Sequence, residues 1–235
     1  MALRSTSYRR MLFLFDVDYT LVDGADGHKY ALGVALEKVF GFKFDINTFD
    51  YLGKTDKQII KEVLKNKGFN DQLIESKLQE VVDNMVDTFK KVVDVFPIKV
   101  LPGVQELLDE LKRRDVLLAL VTGNVEPIAR GKLDKVKLNE YFQFGGFGSD
   151  GIRRADLIRT AIARAERNHG FLFENNVYIF GDTPRDIEAG KEVGVKTVGV
   201  ATGSHSMEDL KKAGADFVFT NLRNTQEVIK TLLGS

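Results

Sequence analysis

An unbroken apolar run, Met11 to Phe15, leads straight into Asp16-Val17-Asp18-Tyr19-Thr20-Leu21, and no other stretch constrains the fold as much. A run that is apolar at every position suits a strand buried on both faces, as in a parallel sheet with helices on each side. Acids at its carboxyl end then lie in the crevice where open α/β sheets bind ligands. Two carboxylates there repel each other, and ionising both is costly unless a cation or a positive side chain joins them. The pair therefore calls for a metal and an anionic substrate. The competing reading is that Asp16 and Asp18 merely close a strand as turn residues, and the rest of the chain weighs between the two.

Composition removes several function classes. With 235 residues the chain is long enough for one large domain or a domain carrying an insertion. Lys plus Arg and Asp plus Glu both number 34, so no net field draws the chain to nucleic acid or an anionic membrane. The absence of cysteine excludes disulfides, thiolate metal sites and cysteine nucleophiles, and it agrees with a cytoplasmic protein. The basic, serine-containing stretch Arg4 to Arg10 faintly resembles a targeting peptide. The apolar run after it is too short for a signal sequence, so it reads as a frayed terminus. No apolar run is long enough to span a bilayer.

After the first strand comes Val22-Asp23-Gly24-Ala25-Asp26-Gly27, polar and glycine-containing, suited to a turn or hinge. A long helical stretch follows. Leu32, Ala35, Leu36 and Val39 make one stripe, stopped by Gly41. Thr55 and Gln58 have the form of a capping box before a second stripe of Ile59, Ile60, Val63 and Leu64. A third helix runs from about Asp71 and ends before Pro97. An all-helical block of this size is too large for a βαβ crossover and is expected to be an inserted domain. From Leu101-Pro102-Gly103 onward strands and helices alternate: strands at Val116–Val121, Phe142–Phe147, Val177–Phe180, Lys196–Val200 and Phe217–Phe219, with helices between and after them. The expected fold is α/β, a Rossmann-like parallel sheet flanked by helices. Residues 1–24 and 99–235 would form its core, and residues 25–98 a helical cap.

In such a sheet the polar clusters that follow the strands face one edge. Thr122-Gly123-Asn124 offers a hydroxyl and backbone N–H groups at a helix entrance, an anion site or else a plain turn and cap. Arg153 and Arg154 open a helix, where positive charge opposes the dipole, so at least one of them points to an anion. In Gly181-Asp182-Thr183-Pro184-Arg185-Asp186, Thr183 can cap a helix with Pro184 at its first position. Asp186 then either reaches back to that cap or joins a metal site. Asp182 has no capping role, and a third carboxylate beside Asp16 and Asp18 suits a hard cation such as Mg²⁺.

With these residues the chain resembles the haloacid dehalogenase superfamily, in the branch similar to phosphoglycolate phosphatase. The motifs are Asp16-Val17-Asp18-Tyr19-Thr20-Leu21, Thr122 in Val-Thr-Gly-Asn, a basic residue before the helix near Ala155, and Gly181-Asp182 with Asp186. Tyr19 departs from a position where glycine is frequent. Arg153-Arg154-Ala155 departs from the usual Lys-Pro, with Arg154 the expected counterpart and Arg153 the alternative.

The resemblance implies an Mg²⁺-dependent phosphatase acting through an aspartyl-phosphate. Asp16 would be nucleophile and Asp18 general acid, then base. Asp16, the backbone carbonyl of Asp18, Asp182 and Asp186 would hold the metal. Thr122, Gly123, Asn124 and Arg154 would bind the phosphate. A phosphosugar mutase shares this core, and a phosphorylatable signalling module is the alternative of another class. Specificity in this family is set by the cap, where Lys54, in Gly53-Lys54-Thr55, is the candidate to meet a substrate's second anionic group. The expected partner is a small phosphorylated metabolite, and the expected assembly a monomer or homodimer.

Overall fold

The structure is a computed structural model that describes residues 10–114 and 116–234, so the basic stretch from Arg4 lies, apart from Arg10, outside the described residues. Its first half runs β1 (Leu12–Phe15), β2 (Val22–Asp23), α1 (Asp26–Phe40), α2 (Asp56–Asn66), α3 (Asp71–Val92), β3 (Lys99–Val100), α4 (Val104–Arg113), β4 (Leu117–Thr122) and α5 (Glu126–Lys135). Then follow β5 (Phe144–Phe147), α6 (Arg154–His169), β6 (Val177–Gly181), α7 (Pro184–Val193), β7 (Lys196–Val200), α8 (Met207–Lys212), β8 (Phe217–Phe219) and α9 (Thr225–Leu233).

Six of the strands form one parallel sheet in the order β5-β4-β1-β6-β7-β8. β1 sits inside it, paired on both sides, and its four residues are fully buried. Alternate side chains serve the two faces. Phe13 and Phe15 join the core with α4, α5 and α9, while Leu12 and Leu14 join the one with α6 and α7. Phe15 stacks on Phe180 of β6 at 4.4 Å between ring centres, which locks the two acid-bearing strand ends together.

Helices α1, α2 and α3 pack on one another around a third core, which also takes in Val125 and Ile128 from the start of α5. Among the described residues no helix is long and apolar enough to cross a membrane.

Several local expectations are corrected. The turn expected over Val22 to Gly27 is in part strand: β2 pairs antiparallel with β3, Val22 opposite Val100 and Asp23 opposite Lys99. The chain's exit into the helical unit and its return are thus tied by a ribbon, and α1 already begins at Asp26. The strand expected from Phe142 begins at Phe144, because Asn139–Tyr141 makes a short 3₁₀ turn. Only half of the Thr55 capping box forms. Thr55 accepts from the Gln58 N–H at 3.2 Å, but the Gln58 amide turns outward to Glu62 at 2.8 Å.

Candidate active site

The parallel sheet sets the carboxyl ends of β4, β1 and β6 side by side, so Thr122, Asp16 and Asp182 meet at one edge. Asp16 continues the ladder through its N–H to Phe180 O at 3.0 Å. Asp186 reaches the same edge from the first turn of α7, and all three carboxylates are buried. One oxygen from each of Asp16, Asp182 and Asp186 lies within 4.8 Å of the others.

Asp186 does both things its position allows. Its Oδ2 accepts from the Thr183 N–H at 3.1 Å and the Thr183 hydroxyl at 2.7 Å, closing the helix cap. Its Oδ1 faces the cluster. Arg154 also enters the cluster, with Nη2 2.7 Å from Asp16 Oδ2 and 2.5 Å from Asp186 Oδ1. The neighbouring Arg153 instead lies at the surface, bound to both carboxylate oxygens of Glu192 at 2.7 Å. Burial pushes the Asp16 carboxyl up to about 7, with Arg154 opposing the shift and Asp186 and Asp18 adding to it. Burial, then Asp186 and Asp16, raise Asp182 well above the carboxylate range.

One guanidinium cannot balance three carboxylates: among the described residues the buried Asp182 Oδ2 has no hydrogen-bond partner, and Asp186 Oδ1 meets only Arg154. An all-oxygen donor set with excess negative charge and unsatisfied lone pairs fits a hard divalent cation.

The carboxylate of Asp18, expected among the metal ligands, is not in this group. The Asp18 side chain is held by Lys132 of α5. The ammonium lies 2.8 Å from Oδ1 and 2.7 Å from Oδ2, and Asn124 Nδ2 donates to Oδ2 at 2.9 Å. Burial alone would raise the Asp18 carboxyl, but Lys132, then His28 and Asn124, outweigh it and hold it below its ordinary value.

Thr122 Oγ1, fully buried, accepts from the Asn124 N–H at 3.3 Å and from Asn124 Nδ2 at 3.1 Å, which leaves its hydroxyl proton to donate. The helix entrance expected at Thr122-Gly123-Asn124 comes later, at Glu126. The N–H of Val125 is already taken by Asp56 Oδ2 at 2.7 Å, so fewer free donors remain than the sequence suggests.

The helical unit closes over this edge. The Asp56 N–H donates to Gly123 O at 2.9 Å, the Thr55 hydroxyl to Ile152 O at 3.0 Å, and Arg185 of the core binds Asp50 at 2.7 Å and Leu52 O. The two parts approach closely at Gly123, where a Cβ would collide with Lys54 O. A cavity of about 70 Å³ remains, lined by Asp16, Asp18 and Arg154 below and by His28, Lys29, Tyr51 and Lys54 above. It has room for only a handful of waters, which suits a small ligand.

Lys54 lines the cavity, but its ammonium is engaged by Glu62 at 2.7 Å and Asp50 at 3.5 Å. Lys29, which sequence reasoning missed, has the exposed Asp26 at 3.4 Å, the ring of Tyr51 beneath it and a side-chain hydrogen bond to Tyr51. Lys132 was missed as well. It sits in the buried stripe Ile128, Ala129, Lys132, Leu133 of α5, and a lysine on an apolar stripe was the available signal. His28 and Asp56 carried no sequence signal.

Comparison with known proteins agrees with this geometry. Residues 13–200 match the family of haloacid dehalogenase-like hydrolases. The phosphoglycolate phosphatase of Aquifex aeolicus is 30% identical over 192 residues, covering 79% of this chain and 82% of that protein. Phosphoglycolate phosphatase 1 of Pseudomonas aeruginosa is 24% identical, covering 91% and 77%. Among solved structures, a hydrolase from Pseudomonas syringae superposes with a TM-score of 0.73 at 20% identity, covering 95% of this chain and 99% of that one. A protein assigned as a β-phosphoglucomutase from Bacteroides vulgatus superposes with a TM-score of 0.71 at 21% identity, covering 97% and 91%. Those two likenesses speak for the fold alone. With the family match spanning most of the sequence, the chain belongs to the haloacid dehalogenase superfamily of hydrolases and is similar to its phosphoglycolate phosphatases.

Proposed function

We propose that this protein is an Mg²⁺-dependent phosphatase of small phosphomonoesters, phosphoglycolate or a close analogue, working through an aspartyl-phosphate on Asp16. The observation that carries the reading is the division of acids at one sheet edge. Asp16 is buried with Asp182 and Asp186 against Arg154, while Asp18 is clamped apart from them.

Asp16 attacks phosphorus as the ester P–O bond breaks, a carboxylate role established in other aspartyl-phosphate enzymes. The electron pair of the broken bond leaves with the alkoxide oxygen, which Asp18 protonates. Asp18 then takes the proton of the water that hydrolyses the phosphoaspartate. Arg154 and the Thr122 hydroxyl, with Gly123 and Asn124 beside it, hold the non-bridging oxygens. Asp16, Asp182, Asp186 and the backbone carbonyl of Asp18 are the residues that would hold Mg²⁺, which when bound would supply positive charge to offset that of the phosphoryl oxygens.

Residues 25–98 act as a cap over the core formed by 1–24 and 99–235, swinging about the β2–β3 ribbon to admit substrate. A cytoplasmic setting agrees with a chain that has no cysteine.

The test is phosphate release from a panel containing 2-phosphoglycolate, sugar phosphates and p-nitrophenyl phosphate, with and without a chelator. Steady turnover that stops on chelation and returns with Mg²⁺ is expected, and release unaffected by chelation would refute the metal assignment. The likeness to a β-phosphoglucomutase keeps one rival in play. Isomerisation of a sugar phosphate with little phosphate release would favour it.

A further inference from the structure

Lys132 is fully buried, and all of its polar contacts lie at the junction of core and helical unit. Besides the two oxygens of Asp18, its ammonium donates to Asn124 Oδ1 at 2.7 Å and meets His28 Nδ1 at 3.3 Å. The three ammonium protons have Asp18 Oδ1, Asp18 Oδ2 and Asn124 Oδ1 to face, so the His28 ring packs behind them through Nδ1, and its other nitrogen is Nε2. That nitrogen faces Asp56 Oδ1 at 3.1 Å. His28 belongs to α1 and Asp56 to α2, whereas Lys132 and Asn124 belong to the core. The contacts thus run from the helical unit through His28 to Lys132 and on to Asp18.

An isolated ammonium in such a place is expensive, and its retention needs either pairing or a role. Pairing alone would be met by any nearby carboxylate. This one takes the single motif acid excluded from the Asp16, Asp182 and Asp186 group, and it grips both oxygens. With Asn124 fixing Oδ2 from a second direction, the carboxylate has one orientation, and it borders the cavity that also holds Asp16.

We infer that Lys132 is the positioning residue that holds Asp18 as a base beside the phosphoaspartate, and that His28 completes its seat only when the helical unit is docked. The inference rests on the phosphatase reading above. The step it serves is hydrolysis of the phosphoaspartate. Water forms a bond to phosphorus as the Asp16–phosphorus ester bond breaks, Asp16 recovers the electron pair, and the water proton passes to Asp18.

The test separates the two chemical steps with p-nitrophenyl phosphate, whose leaving group departs without a proton donor. The first step sets kcat/KM, and the second sets kcat once it is slow. In Lys132→Met, kcat should fall by about 100-fold, the scale of a general base. Its kcat/KM should stay within about threefold, so KM falls with kcat. Rapid mixing should show one burst of p-nitrophenolate per active site, followed by slow release.

Equal loss of kcat and kcat/KM, or no loss of either, overturns the positioning role. If Lys132→Met does not fold, His28→Leu decides. It removes the ring behind Lys132 together with its contact to Asp56, leaving Asp18 and Asn124 in place, and a fall in kcat of about tenfold with kcat/KM held is expected; unchanged kcat overturns the proposal. A parent protein inert toward every phosphomonoester overturns the phosphatase reading, and this inference with it.

Discussion

Tyr19 follows Asp18 with φ 55°, in the left-handed region that a side chain enters at a cost of roughly 1–2 kcal/mol. The family's frequent glycine at that position has this physical reason, and the departure noted in the sequence is a strained turn. Its carbonyl is fixed by the Thr202 hydroxyl from the loop after β7. The next residue of that loop, Gly203, lies where any Cβ would collide with Asp182 Oδ2. Gly203→Ala should therefore displace Asp182 and raise the Mg²⁺ concentration needed for half-maximal activity by about 10- to 100-fold. An unchanged requirement in a metal titration would remove Asp182 from the proposed ligand set.

The two cavity lysines divide in the same residue-level terms. Lys54 is already compensated by Glu62 at 2.7 Å, whereas the one carboxylate beside Lys29 among the described residues is the exposed Asp26 at 3.4 Å, with Tyr51 as its other contact. Lys29→Ala should accordingly raise KM for 2-phosphoglycolate more than Lys54→Ala does, while both leave KM for p-nitrophenyl phosphate nearly unchanged. The reverse order would restore Lys54 as the specificity residue.

At the scale of elements, α2 and α5 are joined by Asp56, which is buried and caps the core helix from the helical unit through the Val125 N–H. Asp56→Ala leaves that donor unsatisfied and should cost about 1–3 kcal/mol in denaturant unfolding. A change below about 0.5 kcal/mol would mean that the contact is replaced by water.

Elements built on local signals were legible in the sequence. The apolar run of β1, the Thr183-Pro184 start of α7 and the Asp186 cap all follow from residues adjacent in the chain. The acids Asp16 and Asp182 were legible because strand ends in a parallel sheet share an edge. What escaped was set by long-range contact. Lys132 meets Asp18 across 114 residues, and His28 meets Lys132 across 104, so neither pairing leaves a periodic trace. β2 and β3 are two residues each, too short to show alternation.

Over the whole molecule, a sheet that gathers acids at one edge is covered by helices whose own core borrows Val125 and Ile128 from the sheet domain. On the proposed reading, opening this cover for substrate would break the Asp56, Thr55 and Arg185 contacts and leave the β2–β3 ribbon paired. Closing it again would expel water from around Asp16. On the same proposed reading, phosphoryl transfer to Asp16 is the central event. It is tested most directly by quenching the enzyme in acid during turnover of 2-phosphoglycolate and locating the phosphoryl group by peptide mass spectrometry. The account predicts an adduct on Asp16, absent from Asp16→Asn, which also loses turnover by roughly 10³-fold or more. A phosphoryl group on another residue, or an Asp16→Asn protein that still turns over, would contradict it.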